Sequence, residues 1–209
     1  MSERTVSAER APRAPHAGPC EPADEAARME TRLAEVEREI ERLLRARSLR
    51  AEAYGAHFAA LWKTAAECAP GGKLLRPRLF LGAFDALVDR EEAGILRDAA
   101  ARIAAGIELL HLSFLMHDDV IDGDLLRRGR PNLIGAMLRD RDPAAFDAQA
   151  PGARPVGTRE LHWAHANGIL MGDLLLSAAH QVFAREPLPQ SVRLRLLDLL
   201  DRTITESVV

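Results

Sequence analysis

Three aspartates stand in the run His117-Asp118-Asp119-Val120-Ile121-Asp122, with Asp118 and Asp122 four residues apart. If the run is helical, those two carboxylates share a face at roughly 5–6 Å from each other. Carboxylates are hard oxygen donors, and magnesium is commonly held by one or two of them while waters and substrate phosphates complete its shell. Asp119 lies beside the pair, and His111, seven residues before Asp118, falls on the same stripe deeper along the helix. The aspartates are therefore candidates for holding a diphosphate through magnesium. An acidic pair on a solvated helix face is the plainer reading of such a run, so its surroundings have to decide.

Upstream the helix is strongly apolar, with Ile107, Leu109, Leu110, Leu112, Phe114, Leu115 and Met116. A solvated acidic face would seldom continue such a stretch, whereas a core helix ending at a cavity mouth would read this way. Directly downstream come Arg127, Arg128 and Gly129. Guanidinium groups match phosphate oxygens with a fixed fork of donors. A second basic group lies at Gly71-Gly72-Lys73-Leu74-Leu75-Arg76-Pro77. Its glycines let backbone N–H groups approach an anion, and Lys73 and Arg76 fall on one side of a helical start. An ordinary helix start with solvated cations would show the same residues.

The elements that must position these groups are helical. Of the 209 residues, 47% are apolar, 28% are charged and only 4% are aromatic, a balance that favours helix over strand. The net charge of −3 gives no nucleic-acid footprint. Cys20 and Cys68 form no CxxC pair, which fits a reducing compartment. No run of about 18 apolar residues and no signal-peptide stretch is evident, so a cytoplasmic protein without a membrane span is expected.

Residues 1–23, rich in Pro, Ala, Ser and charge, read as a disordered tail, and 24–209 as one helical domain. Leu33, Val36, Ile40, Leu43 and Leu44 mark a first amphipathic helix from Asp24. Further helices are expected at about 51–68, 75–88 and 91–121, with Pro70-Gly71-Gly72 as a break and 123–132 as a loop. A short helix at 133–138, a polar loop at 139–157, a helix capped by Thr158 and running to about Arg185, and a last one capped by Ser191 complete the chain. No strand pattern is evident. The fold class is all-α.

Taken together, GGKLLRP at 71–77, ELLHLSFLMHDDVID at 108–122 and RRGRPN at 127–132 resemble the polyprenyl synthetase (trans-isoprenyl diphosphate synthase) family, over roughly residues 68–185. The resemblance implies an isoprenoid-synthase-type helical bundle that condenses isopentenyl diphosphate with an allylic diphosphate, using magnesium. By position, Asp118, Asp119 and Asp122 resemble the first aspartate-rich motif, the metal-binding one, and Arg127 the arginine on the allylic diphosphate. Lys73, Arg76, His111 and Arg128 resemble the isopentenyl diphosphate clamp. Asn167 to Asp173 looks like the family's Gly-Asp helix, with Asp173 expected as a buried structural acid. Ser113 and Phe114 would form the floor that limits product length, and Phe114, one turn before Asp118, implies a short product of about C15–C20.

The family's second aspartate-rich motif is not found. After Asp173 the acids are Glu186, Asp198, Asp201 and Glu206, and the Asp198–Asp201 pair reads as a solvated face. The bundle is accordingly expected to be incomplete at its C-terminus. Three readings stay open: a fragment of a full enzyme, a short subunit completed by a second copy or a different partner, and an inactive relative. A terpene cyclase would share the aspartates but would not need the clamp at 71–77.

Overall fold

The computed structural model describes residues 22–143 and 156–207. The expected tail at 1–23 lies outside the described residues except for its last two, and so does most of the polar loop expected at 139–157. Helix α1 spans Pro22–Ala51. Leu33, Val36, Ile40 and Leu44, spaced three and four apart, are its buried stripe. A single 3₁₀ turn, Glu52–Tyr54, follows, and Gly55 at φ 109° separates it from α2, Ala56–Cys68. The second helix thus begins later than the 51 expected from sequence. The first helix runs through Ala51, and the break falls where glycine can take a backbone conformation closed to other residues.

Helix α3 is Leu75–Leu87. The single helix expected over 91–121 is two, α4 at Arg90–Ile95 and α5 at Arg97–Asp122, divided at Leu96, whose ψ of 3° redirects the chain. Gly123, at φ 70°, stops α5 in the left-handed conformation typical of a helix end. The expected loop at 123–132 contains a small antiparallel hairpin, β1 at Leu126–Arg127 and β2 at Arg130–Pro131. Arg128 and Gly129 form its turn with φ 55° and 74°, the doubly positive geometry that suits the twist of a tight hairpin. Strands of two residues are too short to leave an alternation in the sequence, which is why no strand was expected.

Helix α6, Leu133–Arg141, extends past the expected 138 and is capped by Asn132, whose Oδ1 accepts from the Gly135 N–H at 2.9 Å. Helix α7 is Thr158–Arg185 and α8 is Gln190–Ser207. Thr158 is the first helical residue rather than the cap, because Gly157 takes the extended cap conformation. Ser191 likewise lies inside α8. The Pro189 carbonyl accepts from the Val192 and Arg193 N–H groups and opens that helix. Asp198 and Asp201 are exposed, as expected of a solvated face.

Helix α5 is the centre of the bundle, packed on α1, α3 and, most extensively, α7. It is also long and apolar enough to cross a membrane by length and composition, against the expectation that no segment is. Two-thirds of that window (67%) is buried against neighbouring helices, as in a core helix. Gly168 and Gly172, one turn apart on α7, let the aspartate-bearing end of α5 approach closely. A Cβ on Gly168 would stand 2.7 Å from Val120 Cγ2, and one on Gly172 would stand 2.3 Å from His117 Nε2. This close contact sets the direction in which α5 presents its last two turns.

Candidate functional site

A cavity of about 370 Å³ lies among the C-terminal end of α2, the segment 69–72, the second half of α5 and the hairpin. Its charged and ionisable lining includes Glu67 from α2, Glu108, His111 and Asp119 from α5, and Arg127, Arg128 and Arg130 from the hairpin. Helical geometry divides the three aspartates between two faces. Ala105, Leu109, Leu112 and Met116 form the buried stripe of α5, and Asp119 is the next position on it, 1% exposed. Asp118 and Asp122 stand off that stripe and are exposed.

Asp119 is held from the hairpin. Arg127 Nη2 donates to Asp119 Oδ1 at 2.6 Å and, more weakly, to the Leu115 carbonyl at 3.4 Å. Asp119 Oδ2 and Arg127 Nε are buried with no partner among the described residues. The pair ties the hairpin to the end of α5. Asp118 and Asp122 make no hydrogen bond or ion pair within the described residues, so both carboxylates are free. Arg128 Nη1 donates to the Gly71 carbonyl, which ties the hairpin to the glycine segment on the other side.

His111 is half-buried on the cavity wall. Burial, and then the charges of Arg76, Arg127 and Arg128, push its imidazole down from 6.5 to about 4. It is therefore neutral near pH 7 and can serve as a hydrogen-bonding group without adding charge. The unfolded chain binds a proton near pH 6.5 that the folded chain refuses until about pH 4, so this residue's contribution to stability is complete above 6.5 and is lost as pH falls toward 4. His111→Gln is expected to flatten the fall in urea-denaturation midpoint across that window. Parallel curves for the two proteins would count against the assignment.

Lys73 and Arg76 are both exposed and do not line the cavity, although the charge of Arg76 reaches His111 and Glu108. Ser113 is fully buried, donating to the Leu110 carbonyl at 2.7 Å, and Phe114 packs against the main core. Neither lines this cavity. Asp173 is not the buried acid expected from sequence. Its side chain is 63% exposed and its Oδ1 lies 3.3 Å from His117 Nε2. The inward face of α7 runs instead through Ala164, Gly168, Met171 and Leu175, and Asp173 turns away from it. Cys68 also lines the cavity, but burial raises its thiol to about 11, which keeps it protonated and a poor nucleophile.

Glu108 is the residue that sequence reasoning passed over. It is 7% exposed, one turn before His111, and its Oε2 has no partner. Its signal was present: it is the only acid between Asp98 and Asp118 in an otherwise apolar helix.

Among the described residues no group of three or more His, Cys, Asp or Glu is arranged to hold a metal. Asp118 and Asp122 supply two free carboxylates, a donor set that suits magnesium when phosphate oxygens and water provide the rest. Asp119 is engaged elsewhere, with its Oδ1 on Arg127.

Comparison with known proteins agrees with the fold and the family resemblance. The sequence profile of the polyprenyl synthetases matches residues 60–209. A short chain isoprenyl diphosphate synthase of Methanothermobacter thermautotrophicus is 30% identical over 134 residues, 64% of this chain and 31% of that protein. A nonaprenyl diphosphate synthase of Mycobacterium tuberculosis is 35% identical over 126 residues, 59% of this chain and 28% of that protein. Among solved structures, a geranylgeranyl pyrophosphate synthase of Corynebacterium glutamicum, complexed with isoprenyl diphosphate and magnesium, superposes with a TM-score of 0.56 at 22% identity, covering 74% of this chain and 41% of that one. That last likeness is one of fold. The chain spans about a third of the length of the curated relatives it matches.

Proposed function

The chain belongs to the polyprenyl synthetase family, and on that premise we propose that it binds isopentenyl and allylic diphosphates and serves prenyl transfer between them. One observation supports this above the others: a cavity walled by Arg127, Arg128 and a neutral His111 sits at the end of α5, where Asp118 and Asp122 are left free.

Each group has a task in such a reaction. The allylic C–O bond breaks, its electron pair leaves with the diphosphate, and the isopentenyl double bond attacks the resulting carbocation before a proton is lost. Arg127 and Arg128 present guanidinium donors to diphosphate oxygens, where charge develops on departure. Asp118 and Asp122 would hold magnesium, which supplies further positive charge to the departing diphosphate. His111, uncharged, donates or accepts a hydrogen bond without drawing the anion off the arginines. The apolar body of α5 keeps water away from a cation that water would quench.

A short product, about C15–C20, is inferred from the sequence position of Phe114, one helical turn before Asp118, although its ring packs against the main core and does not line the 370 Å³ cavity. A second reading is a cytoplasmic diphosphate-binding subunit whose site is completed by a second copy or a different partner; Asp118 and Asp122, exposed and without a partner among the described residues, are open to such a completion.

A prenyl-transfer assay separates the readings. It would use magnesium, labelled isopentenyl diphosphate and a panel of allylic diphosphates, beside a titration of diphosphate binding. Turnover to short products is the expected result. Binding without turnover would favour the partner-dependent subunit, and neither binding nor turnover would sink both readings.

A further inference from the structure

Glu108 is a buried acid beside a site built for anions, which is the opposite of what simple charge complementarity calls for. It lines the arginine-bearing cavity and also a neighbouring, mostly apolar cavity of about 480 Å³ between α1 and α2. Its carboxylate and the Arg128 guanidinium converge over Gly72. The point where a Cβ on that glycine would sit is 3.6 Å from Glu108 Oε1 and 3.9 Å from Arg128 Nη1. We infer that Glu108 is a positioning residue, which holds the guanidinium groups of Arg128 and Arg76 in place to receive the diphosphate.

The physical case rests on what its absence would leave. Arg76, Arg127 and Arg128 all act on His111, and like charges so placed repel. Burial favours the neutral form of Glu108, while the charges of Arg76 and Arg128 favour its carboxylate, so the acid and these two guanidiniums attract through space, with no hydrogen bond between them among the described residues. Arg128 is otherwise held by one hydrogen bond to the Gly71 carbonyl, on a turn residue at φ 55°. An acidic charge that acts on both guanidiniums offsets their mutual repulsion. A purely structural position in an apolar helix stripe would be served better by Leu or Gln, since a buried carboxylate with an unpartnered oxygen costs stability.

The inference rests on the proposed reading of the site, and one titration tests the two apart. Inorganic pyrophosphate with magnesium would be titrated into the unaltered chain, Glu108→Gln and Glu108→Asp, with Tm measured for each. Glu108→Gln keeps the shape and removes the charge. It is expected to bind pyrophosphate about tenfold more weakly, the scale of one charge-assisted hydrogen bond, with Tm unchanged or raised. Glu108→Asp, which keeps the charge, is expected to recover part of the loss. If Glu108→Gln binds as tightly as the unaltered chain, or more tightly, the acid merely repels the anion and the inference is overturned. An affinity loss that comes only with a fall in Tm, and that Asp does not relieve, overturns it as well. Failure of the unaltered chain to bind removes the reading of the site, and the role of Glu108 with it.

Discussion

Asp118→Ala and Asp122→Ala are each expected to abolish magnesium-dependent binding of pyrophosphate and to leave the fold intact. Both residues are exposed, and neither has a partner in the described structure, so their removal should change stability by no more than about 0.5 kcal/mol. The loss of binding follows from the donor count. Magnesium shared with a diphosphate depends on one or two protein carboxylates, and with one removed the ion has no second anchor on this face. Titration calorimetry with and without magnesium measures the effect, and circular dichroism checks the fold. Binding that survives in both variants would exclude this face as the metal site.

Arg127→Ala should be costly in a different way. Asp119 is 1% exposed and its Oδ2 already lacks a partner, so loss of the 2.6 Å contact to Arg127 leaves a buried carboxylate with nothing to answer its charge. Breaking a buried pair from one side costs about 3–5 kcal/mol, and the partial exposure of Arg127, 35%, places the expectation toward the lower end. The pair also ties the hairpin to α5, so the same substitution should weaken pyrophosphate binding. Asp119→Asn in the Arg127→Ala background should restore much of the stability, because the stranded charge is then gone, without restoring the binding. Urea denaturation of the two single variants and the double variant gives the coupling directly. Equal stability of Arg127→Ala and the parent would show that the contact contributes nothing to the fold.

These two expectations separate roles that look alike in the sequence. Asp118, Asp119 and Asp122 differ by one helical step, and that step decides which of them meets solvent and which meets the core. His111 and Glu108 likewise lie one turn apart on the cavity side of α5, where burial disfavours the charged form of both, and nearby arginines reinforce this for the histidine and oppose it for the acid.

What the sequence determined by itself is the helical framework and the residues of the site. The three- and four-residue spacing of Leu33, Val36, Ile40 and Leu44 dictates a one-sided helix, and the same spacing through Leu109, Leu112 and Met116 makes α5 a core element. The segments 71–77, 108–122 and 127–132 carry the family resemblance and supply the carboxylates, guanidiniums and imidazole proposed for the site. Short-range geometry was less legible. The division at Leu96, the Arg128–Gly129 turn and the opening of α8 at Pro189 depend on backbone angles of one or two residues, which leave no periodic trace.

Tertiary structure alone decided the pairings. Asp119 belongs to Arg127 because the hairpin folds back onto α5, and Asp173 is exposed because α7 turns its glycine face, Gly168 and Gly172, toward Val120 and His117. Glu108 and Arg128 both flank Gly72, which is thirty-six residues from Glu108 in the chain. Such contacts join segments that local pattern cannot relate, because a charge acts through space, on whatever the packing of the helices has brought within its reach.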